Sequence, residues 1–544
     1  MHNKSSNEKN YDELFWADQL AKQIISRKKF HYINAEIPKF KEYTVKTSAS
    51  LSGVLHIGRL SDTIRSESVV IALKDAGVKT RFIWVAENMD PLRKVPKGVP
   101  DNFEKHIGTP VTDIPDPENC HNSYAEHHTE EYFKVVDEFV TTKMEKFSMR
   151  EEYKKGNFNQ FIKRILGKIE EVREIQNRYR TNQLKKNWSP WTPICENCGK
   201  IVTTHVTSFE DGIAAYVCRD YEFETTTAKG CGFKGENNPL KGNGKLLWKS
   251  EWAAQWARWQ VVSEGAGKEY QVPNSAWWIN GEIVEKVLDF PMPVPIFYEH
   301  IMIDNQKMSA SVGNVIYPKD WLEVAPPELL RLFYNKRLMT TRSFSWKDLP
   351  NLYDEYDQIS KIYFGDENIE NKKEEAHNKR LFEVSHGKEI KKPIDLSFSH
   401  AAVIAQTFPN DEDAVKSMEK TDHYDKKEHH SIFERLQNAK IWLKKYAPDD
   451  MKFEVQNHVA KNIQLTAKEK KALRIIAELL EEKEYDEKSL FNEFYNVSKE
   501  LDLKPQDFFK CAYKVLLNKE RGPKLAPFIL ALGKEKVVKL FEEV

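Results

Sequence analysis

Residues 42–86 constrain the fold of this chain more than any other stretch, because they predict a strand, a turn, a helix and a second strand in succession. Residues 42–56 begin with the strand-like run EYTVKTSAS and end in a turn of small residues. Residues 58–77 have the periodicity of an amphipathic helix, and residues 80–86 (TRFIWVA) predict a second buried strand. Such a βαβ unit requires a parallel sheet, in which ligands bind at the carboxyl ends of the strands and at the N-termini of the following helices.

The turn of this unit contains His56, Ile57 and Gly58, at the edge of the sheet where a ligand is expected. The simplest interpretation is a solvent-facing histidine beside a glycine that adopts a backbone shape other residues resist. A second motif, KMSAS at 307–311, follows the apolar run PMPVPIFYEHIMI, which predicts the last strand of the sheet. A lysine and two serines in such a loop suit polyphosphate binding, although an ordinary polar loop has the same composition.

Length and composition predict several globular domains. The 544 residues are enough for three or more domains, since a domain usually holds about 100–200 residues. No stretch approaches the roughly 18 consecutive apolar residues of a membrane span, and the N-terminal region lacks the apolar segment of a secretory signal. We therefore expect a cytoplasmic protein without a membrane partner. Its 83 basic and 83 acidic residues balance, so any polyanion has to bind at a local patch.

Six cysteines in a chain of this size indicate metal binding or isolated thiols rather than disulfides. Cys195 and Cys198 form a Cys-x-x-Cys knuckle, and Cys218 and Cys231 follow within the next few dozen residues. Together they supply four thiolates for a tetrahedral zinc ion. The alternative is four unrelated buried thiols, as we expect for Cys511, which lies on an apolar helix.

A second candidate zinc cluster lies in DPENCHNSYAEHH, where Asp116, Cys120, His121 and His127 offer one carboxylate, one thiolate and two imidazoles. Short acidic loops with histidines are common without a metal, and His128 competes with its neighbour for the ligand role. Neither cluster leaves an evident open coordination position. Both therefore predict structural zinc that ties together insertions lacking cores of their own.

The predicted fold is an α/β, doubly wound parallel sheet of the Rossmann type, with a zinc-binding insertion and an all-α C-terminal domain. We expect one long charged helix over 128–187 inside the insertion, and a polar helix face plus a linker over 365–392. The predicted boundaries are 1–112 and 246–325 for the two halves of the sheet domain, 113–245 for the insertion, 326–365 for a helical junction and 366–544 for the helical domain.

The order of strand, HIG, helix, insertion, strand and KMSAS resembles that of the class I aminoacyl-tRNA synthetases, whose motifs read HIGH and KMSKS. DPLRKVP, DIPDP with CH and SYAEH, WSPWTPICENCG and KERGPKLAPFILALG are similar to the archaeal-type class I lysyl-tRNA synthetases. The resemblance covers nearly the whole chain. Arg59 and Ala310 depart from the two motifs, so Lys307 has to carry more of the phosphate contact.

The resemblance implies that the chain activates lysine with ATP and Mg²⁺ and transfers it from lysyl-adenylate to the 3′-terminal adenosine of tRNA(Lys). Imidazole, helix N-terminal amides and lysine suit the charge that develops on the phosphates. It also implies two zinc ions, including one at the Asp116 cluster. His56 and Lys307 are the expected catalytic residues, and the expected ATP-binding residues are His56, Gly58, Lys307, Ser309 and Ser311.

The amino-acid pocket departs further from the family, which commonly has GKDH followed by GGS where this chain reads GKEYQVPNSAW. Lysine needs an anion for its ammonium group and apolar walls for its methylenes, and aromatic rings attract the cation further. Trp252 suits core packing with the neighbouring tryptophans equally well. The expected pocket residues are Ser48, Ser50, Trp252, Glu269, Tyr270 and Tyr298.

Two other functions stay open on the sequence. The altered pocket suits a paralogue that activates a different amino acid or a lysine analogue. The departures at Arg59 and Ala310 suit a tRNA-binding protein whose active site has decayed. The C-terminal helices resemble the family's helical anticodon-binding domain, which implies that unpaired bases stack there on aromatic side chains beside basic residues. We expect a monomer.

Overall fold

The structure is a computed structural model, and it describes residues 15–50, 55–95, 99–308, 314–408, 410–420 and 424–544. The chain divides into two compact units. The first comprises Met1–Lys319, Leu330–Phe344 and Glu370–Ile390, and the second comprises Asp320–Leu329, Ser345–Ile369 and Lys391–Val544.

The strands, numbered in chain order, are β1 (Tyr43–Ala49), β2 (Thr80–Ala86), β3 (Glu145–Ser148), β4 (Trp191–Pro193), β5 (Thr204–Glu210), β6 (Ile213–Cys218), β7 (Tyr221–Glu222), β8 (Thr227–Ala228), β9 (Lys234–Asn237), β10 (Gly244–Leu246), β11 (Val261–Gly267), β12 (Val294–Tyr298), β13 (Ile301–Ile303), β14 (Gln306–Lys307) and β15 (Arg342–Phe344). The α-helices are α1 (Trp16–Ser26), α2 (Ile57–Asp75), α3 (Tyr124–Phe139), α4 (Met149–Lys154), α5 (Asn159–Gly167), α6 (Ile169–Asn177), α7 (Trp248–Trp259), α8 (Ala276–Lys286), α9 (Pro318–Leu322), α10 (Pro327–Asn335), α11 (Leu349–Phe364), α12 (Lys372–Ser385), α13 (Phe398–Thr407), α14 (Asp411–Lys420), α15 (His429–Lys445), α16 (Ala467–Glu482), α17 (Glu487–Glu500), α18 (Pro505–Leu517), α19 (Leu525–Leu532) and α20 (Lys534–Glu542).

A five-stranded parallel sheet forms the centre of the first unit, in the order β12-β11-β1-β2-β3. From β1 the chain order runs through β2 and β3 on one side and through β11 and β12 on the other. The order therefore reverses between β1 and β11. In open α/β sheets a ligand binds outside the carboxyl ends of the strands at such a reversal. The predicted parallel α/β core is confirmed, with β1, α2 and β2 at the predicted positions.

Helix α2 is buried on nearly every side, whereas the sequence predicts an amphipathic helix. Its buried residues include Arg65, Glu67 and Ser68. These polar groups have buried partners elsewhere in the first unit: Glu67 pairs with Arg331, and the Ser68 hydroxyl donates to Asn335 Oδ1 at 2.9 Å. Polar residues can be buried when they have hydrogen-bond partners. The polar face of α2 that the sequence predicts is therefore not exposed to solvent.

The predicted long charged helix over 128–187 is wrong. Helices α3, α4, α5 and α6 occupy this stretch together with β3, which pairs with β2 as an edge strand of the central sheet. Gly156 adopts φ of 70° just after α4, a left-handed conformation that ends a helical run and favours glycine. The cysteine-containing segment that follows leaves the central sheet, as predicted, because β4–β10 pair only among themselves.

The apolar run predicted as the last strand divides between two sheets. Its first part is β12, the edge strand next to β11. Its second part is β13, which pairs with β14 and β15 in a separate three-stranded sheet. The polar pair Glu299 and His300 separates the two strands. The second motif therefore begins on the hairpin formed by β13 and β14.

The second unit is helical. Beyond Phe344 the described residues contain helices and turns but no strand, which confirms the predicted helical C-terminal region. Helices α16–α20 enclose a core that includes the fully buried Leu473, Phe494, Phe508 and Leu516. Among the helices of both units that the structure describes, none combines the length and apolar character needed to cross a lipid bilayer.

Candidate functional site

The two short motifs meet at the start of α2. The backbone N–H of Ile57 donates to the carbonyl oxygen of Ile316 at 2.9 Å. The hydroxyl of Tyr334 donates to the carbonyl of Ile57 at 2.8 Å. The segment that follows KMSAS is thereby held against the residue that follows His56, at the carboxyl end of β1.

Glycine at position 58 leaves room for this approach. A Cβ atom at Gly58 would lie 2.5 Å from Cε of Met308 and 2.9 Å from Nδ1 of His56. Lys307, the preceding residue, has an exposed side chain, and its carbonyl accepts a hydrogen bond from Nδ2 of Asn314 at 3.0 Å. The lysine is therefore free to reach an anion, and Ser309 and Ser311 lie outside the described residues.

His56 precedes the first turn of α2 and is a neutral imidazole near pH 7. Burial, and then the neighbouring Arg59 guanidinium, lower the pKa of His56 to about 4. Its Nδ1 is buried without a hydrogen-bond partner. Arg59 in turn donates to the carbonyl of Ser50. A neutral imidazole beside a helix N-terminus offers one N–H donor to a phosphate without adding a full charge.

A buried carboxylate organises the aromatic residues behind this edge. Glu264 on β11 accepts hydrogen bonds from the indole N–H groups of Trp252 at 3.0 Å and Trp256 at 2.6 Å. Its other oxygen pairs with Nζ of Lys46 at 2.6 Å. Lys46 lies on the adjacent strand β1, directly opposite Glu264 in register.

Four of the six predicted pocket residues, including Trp252, lie in or beside this group. Ser48 Oγ accepts a hydrogen bond from Nζ of Lys46 at 3.3 Å. The ring of Tyr270 stands edge-on to the ring of Trp252, with centroids 5.2 Å apart. The hydroxyl of Ser50 donates to Asp90 at 2.9 Å. The Glu264 group thus brings together Trp252, Tyr270 and Ser48. Ser50 follows two residues after Ser48 in the chain.

The other two predicted pocket residues have different surroundings. The carboxylate of Glu269 is 55% exposed and lies 3.0 Å from Nε2 of His300. Tyr298 ends β12, beneath the guanidinium of Arg65 at 4.7 Å from the ring centroid. Burial, and then the nearby Asp62 carboxylate, raise the pKa of Tyr298 well above its usual value. Tyr298 is therefore a neutral phenol, whereas Glu269 already has a cationic partner when His300 is protonated.

Asp62, on the second turn of α2, lies at the point where the strand order reverses. One carboxylate oxygen accepts from the hydroxyl of Thr47 on β1, while Oδ1 is buried and has no hydrogen-bond partner among the residues that the structure describes. A Cβ atom at Gly265 on β11 would overlap Oδ1 of Asp62 at 1.8 Å. Burial raises the pKa of Asp62 to about 6. The glycine on β11 is thus required for this carboxyl group to enter the space between the two strands.

Further buried acids surround the carboxyl ends of β1 and β2. Nε2 of Gln255 donates to the carboxyl group of Glu87, at 3.0 Å from Oε1 and 3.1 Å from Oε2. Burial raises the pKa of Glu87 to about 8. Lys245 lies 2.9 Å from Glu251 and 3.4 Å from Asp90. Burial opposes the charge of Lys245, but these carboxylates raise its pKa on balance.

The four cysteines predicted as zinc ligands lie together, with all Sγ atoms within 4.8 Å of one another. Sγ of Cys195 is 3.7 Å from that of Cys231, and Sγ of Cys198 is 3.7 Å from that of Cys218. Sulfurs at about 2.3 Å from a tetrahedral zinc ion are roughly 3.8 Å apart. The donor set and its spacing therefore fit zinc.

The ligand atoms of the second cluster also converge. Sγ of Cys120 lies 3.1 Å from Oδ2 of Asp116, 3.0 Å from Nδ1 of His121 and 3.1 Å from Nδ1 of His127. Nε2 of His121 meets the Glu130 carboxylate at 2.9 Å, an arrangement typical of metal-binding histidines. His128 lies near His127 and Glu131 in an alternative grouping that shares His127.

Several site residues escaped the sequence interpretation, chiefly Lys46, Asp62, Glu87 and Glu264. Each lies in or beside a run that reads as buried structure. A charged residue in the middle of a buried strand, such as Lys46 in YTVKTSA or Glu264 in VVSEGAG, is a signal in itself, because such charges require a buried partner. The sequence shows these charged residues within buried runs, but it does not show which residue pairs with each of them.

Comparisons with protein families identify two segments. The family described as tRNA synthetases class I (K) matches residues 14–388. The family described as anticodon binding domain matches residues 436–542. The first match covers more than half of the chain and includes both short motifs and both clusters of metal-ligand residues.

Individual relatives match over nearly their whole length. A lysine–tRNA ligase from Methanosphaera stadtmanae is 30% identical over 97% of this chain and 98% of its own. The lysine–tRNA ligase of Methanocaldococcus jannaschii is 31% identical over 97% and 99%, respectively. That of Thermococcus kodakarensis is 32% identical over 96% and 98%.

Proposed function

The chain belongs to the class I (K) family of tRNA synthetases, and from this we propose that it is a lysine–tRNA ligase. The carboxylate of lysine attacks the α-phosphorus of ATP, and pyrophosphate leaves. The terminal adenosine of tRNA(Lys) then attacks the lysyl carbonyl carbon, and AMP leaves. One observation supports the proposal beyond family membership: the Ile57–Ile316 hydrogen bond holds the segment that follows the second motif against the first motif, at the sheet edge where a ligand binds.

ATP binds at this edge. His56 and Gly58 face the phosphates and ribose at the start of α2, where the positive end of the helix dipole favours anions. Lys307, Ser309 and Ser311 contact the departing pyrophosphate, to which Mg²⁺ is bound as part of the substrate. His56 contributes as a neutral donor and Lys307 as a charge. Catalysis consists of positioning and of stabilising charge on the phosphates.

Lysine binds behind this edge. Trp252, Tyr270 and Tyr298 form the walls along its methylenes, and Ser48 and Ser50 contact its polar end, with Glu269 at the mouth of the pocket. The contact of Tyr270 with Trp252 supports this assignment. Aromatic faces also attract the ammonium group.

Two zinc ions hold the insertion together. Cys195, Cys198, Cys218 and Cys231 bind one, supported by the 3.7 Å spacing of their sulfurs. Asp116, Cys120, His121 and His127 bind the other. Zinc at these sites cross-links segments with few buried apolar residues, which is a structural role.

The helical second unit binds the anticodon, in keeping with the family match over residues 436–542. The proposed divisions of the chain are those predicted from the sequence: the two halves of a doubly wound sheet domain at 1–112 and 246–325, the insertion at 113–245, the junction at 326–365 and the helical domain at 366–544. Two segments depart from these divisions, since β3 inside the insertion joins the central sheet and Glu370–Ile390 belongs to the first unit. We place the protein in the cytoplasm as a monomer.

Pyrophosphate exchange into ATP, measured with each of the twenty amino acids and with or without tRNA, tests the function. We expect exchange with lysine alone, and a loss of about 10²–10³-fold in Lys307→Ala. Lys319→Ala removes a nearby exposed lysine and should leave exchange unchanged. Exchange with another amino acid would identify a paralogue of different specificity. If no amino acid supports exchange even when tRNA is present, the chain is a tRNA-binding protein without activity.

A further inference from the structure

A buried ion pair joins the two central strands directly behind the proposed lysine pocket. Nζ of Lys46 and Oε1 of Glu264 are 2.6 Å apart, and their side chains are 0% and 2% exposed. The two residues are register partners on β1 and β11. Neither lies in a short motif, and the pair touches residues on both sides of the pocket.

Glu264 accepts three hydrogen bonds in this position. Nζ of Lys46 donates to one carboxylate oxygen, and the indole N–H groups of Trp252 and Trp256 both donate to the other. Trp252 also stacks on Trp248 at 4.7 Å and stands edge-on to Tyr270 at 5.2 Å. The indole of Trp252 is therefore held by a directional bond at its N–H edge and by ring contacts on its faces.

Lys46 connects this carboxylate to the opposite wall. Its ammonium donates to Glu264 and to Ser48 Oγ, at 2.6 and 3.3 Å. A single cation thus links the acceptor of Trp252 to a serine at the carboxyl end of β1.

We propose that Lys46 and Glu264 are positioning residues for lysine activation, which fix the indole of Trp252 and the hydroxyl of Ser48 at the distance that the substrate side chain requires. The inference rests on the proposed function, because it assigns Trp252 and Ser48 to the amino-acid pocket. It adds two residues that touch neither substrate and act through those that do. Glu264 already has Lys46 as its cation, so we assign it to Trp252 and Trp256 rather than to the substrate ammonium.

Three variants test the pair. Glu264→Gln and Lys46→Met each leave one polar partner unpaired in a buried site. The double variant Lys46→Met with Glu264→Leu removes both charges, and replacing a buried ion pair by apolar residues commonly preserves or improves stability. We therefore expect the double variant to fold without the acceptor of the indole, and urea unfolding of the same variant separates positioning from stability. Glu67→Gln breaks a different fully buried pair, between Glu67 on α2 and Arg331 on α10, and is the matched control.

Kinetics of pyrophosphate exchange provide the first measurement. We expect KM for lysine to rise at least 10-fold in Glu264→Gln and in the double variant, while KM for ATP changes less than 3-fold. Glu67→Gln should lower stability with no change in KM for lysine. A double variant that folds and has the wild-type KM for lysine would overturn the proposal, because the pair would then serve stability alone.

A second readout does not depend on activity. In protein labelled with 5-fluorotryptophan, the ¹⁹F resonance of Trp252, assigned with Trp252→Phe, should shift or broaden in Glu264→Gln and the double variant but not in Glu67→Gln. An unchanged resonance would refute positioning of the indole. If the wild type shows no lysine-dependent exchange, the proposed function is refuted, and with it the role of Glu264 in lysine activation. A shifted resonance would in that case still establish that Glu264 orients Trp252.

Discussion

Arg331 on α10 and Glu67 on α2 form an ion pair whose side chains are 1% and 0% exposed. The same guanidinium donates to the carbonyls of Phe139 at 2.9 Å and Val384 at 3.0 Å. Glu67 also accepts from the backbone N–H of Thr142 at 2.6 Å. Four separate chain segments thus converge on one pair, which fixes the helix whose first turn follows His56.

Breaking this pair should be costly. Arg331→Met leaves a buried carboxylate without its cation, and we expect the free energy of unfolding to fall by about 3–5 kcal/mol. Arg164→Met is the control, because Arg164 forms an exposed pair with Asp289 and its loss should cost at most about 1 kcal/mol. Urea unfolding followed by circular dichroism measures both. Equal effects of the two variants would contradict the assigned role of Arg331.

The cysteine cluster should account for one of two zinc ions. Elemental analysis of the purified wild type is expected to give two zinc ions per chain, and Cys198→Ser should give one. Cys511→Ser changes a buried cysteine outside both clusters and should retain two. A wild-type zinc content in Cys198→Ser would rule out the thiolate site.

Glu87 should make the protein less stable as the pH rises. Its pKa is about 8 in the folded chain and about 4.3 when unfolded. The protonated form is thus favoured by folding, and its contribution is complete below pH of about 4.3 and lost as the pH rises through about 8. Glu87→Gln keeps a group that can bond to Gln255 but does not ionise.

We therefore expect Glu87→Gln to equal the wild type near pH 4 and to be more stable by about 5 kcal/mol at pH 9. Urea unfolding across this range measures the difference. Glu500→Gln, at an exposed position, should follow the wild type at every pH. A constant difference between Glu87→Gln and wild type would show that Glu87 is ionised in the fold throughout.

A side chain at position 58 should impair ATP binding without unfolding the protein. In Gly58→Ala the new methyl group has to displace Met308 and His56, so we expect KM for ATP to rise about 10-fold, the order expected when a positioning contact in a substrate site is displaced. Gly167→Ala is the matched control, since a Cβ there has no neighbour within 4 Å. Both variants gain helix propensity. An unchanged KM for ATP in Gly58→Ala would separate Gly58 from the nucleotide site.

The sequence predicted local structure where the pattern is short and regular. The strand, helix and strand from Tyr43 to Ala86 lie where expected, because apolar periodicity and turn residues report on neighbours along the chain. The same reasoning failed over 128–187. There, charged residues continue the helical pattern through β3, and only pairing with β2 makes that short segment a strand.

The candidate site divides in the same way. Its motif residues and its metal ligands were predicted because their spacing along the chain carries the signal. Lys46 and Glu264 were not, since they are 218 residues apart and become neighbours only when β11 inserts beside β1. Glu269 was expected to provide the anion of the pocket, whereas the structure shows its carboxylate beside His300.

The position of β1 at the centre of the sheet also affects how the chain folds during synthesis. One edge of β1 pairs with β2 soon after both have been made, but the other edge stays open until β11 has been translated. An open strand edge invites pairing with other chains. Lys46 lies in the middle of that edge, and a lysine there discourages such pairing while its charge is solvated. Lys46, a buried cation in the complete sheet, therefore protects the open edge of β1 from pairing with other chains until β11 has been made.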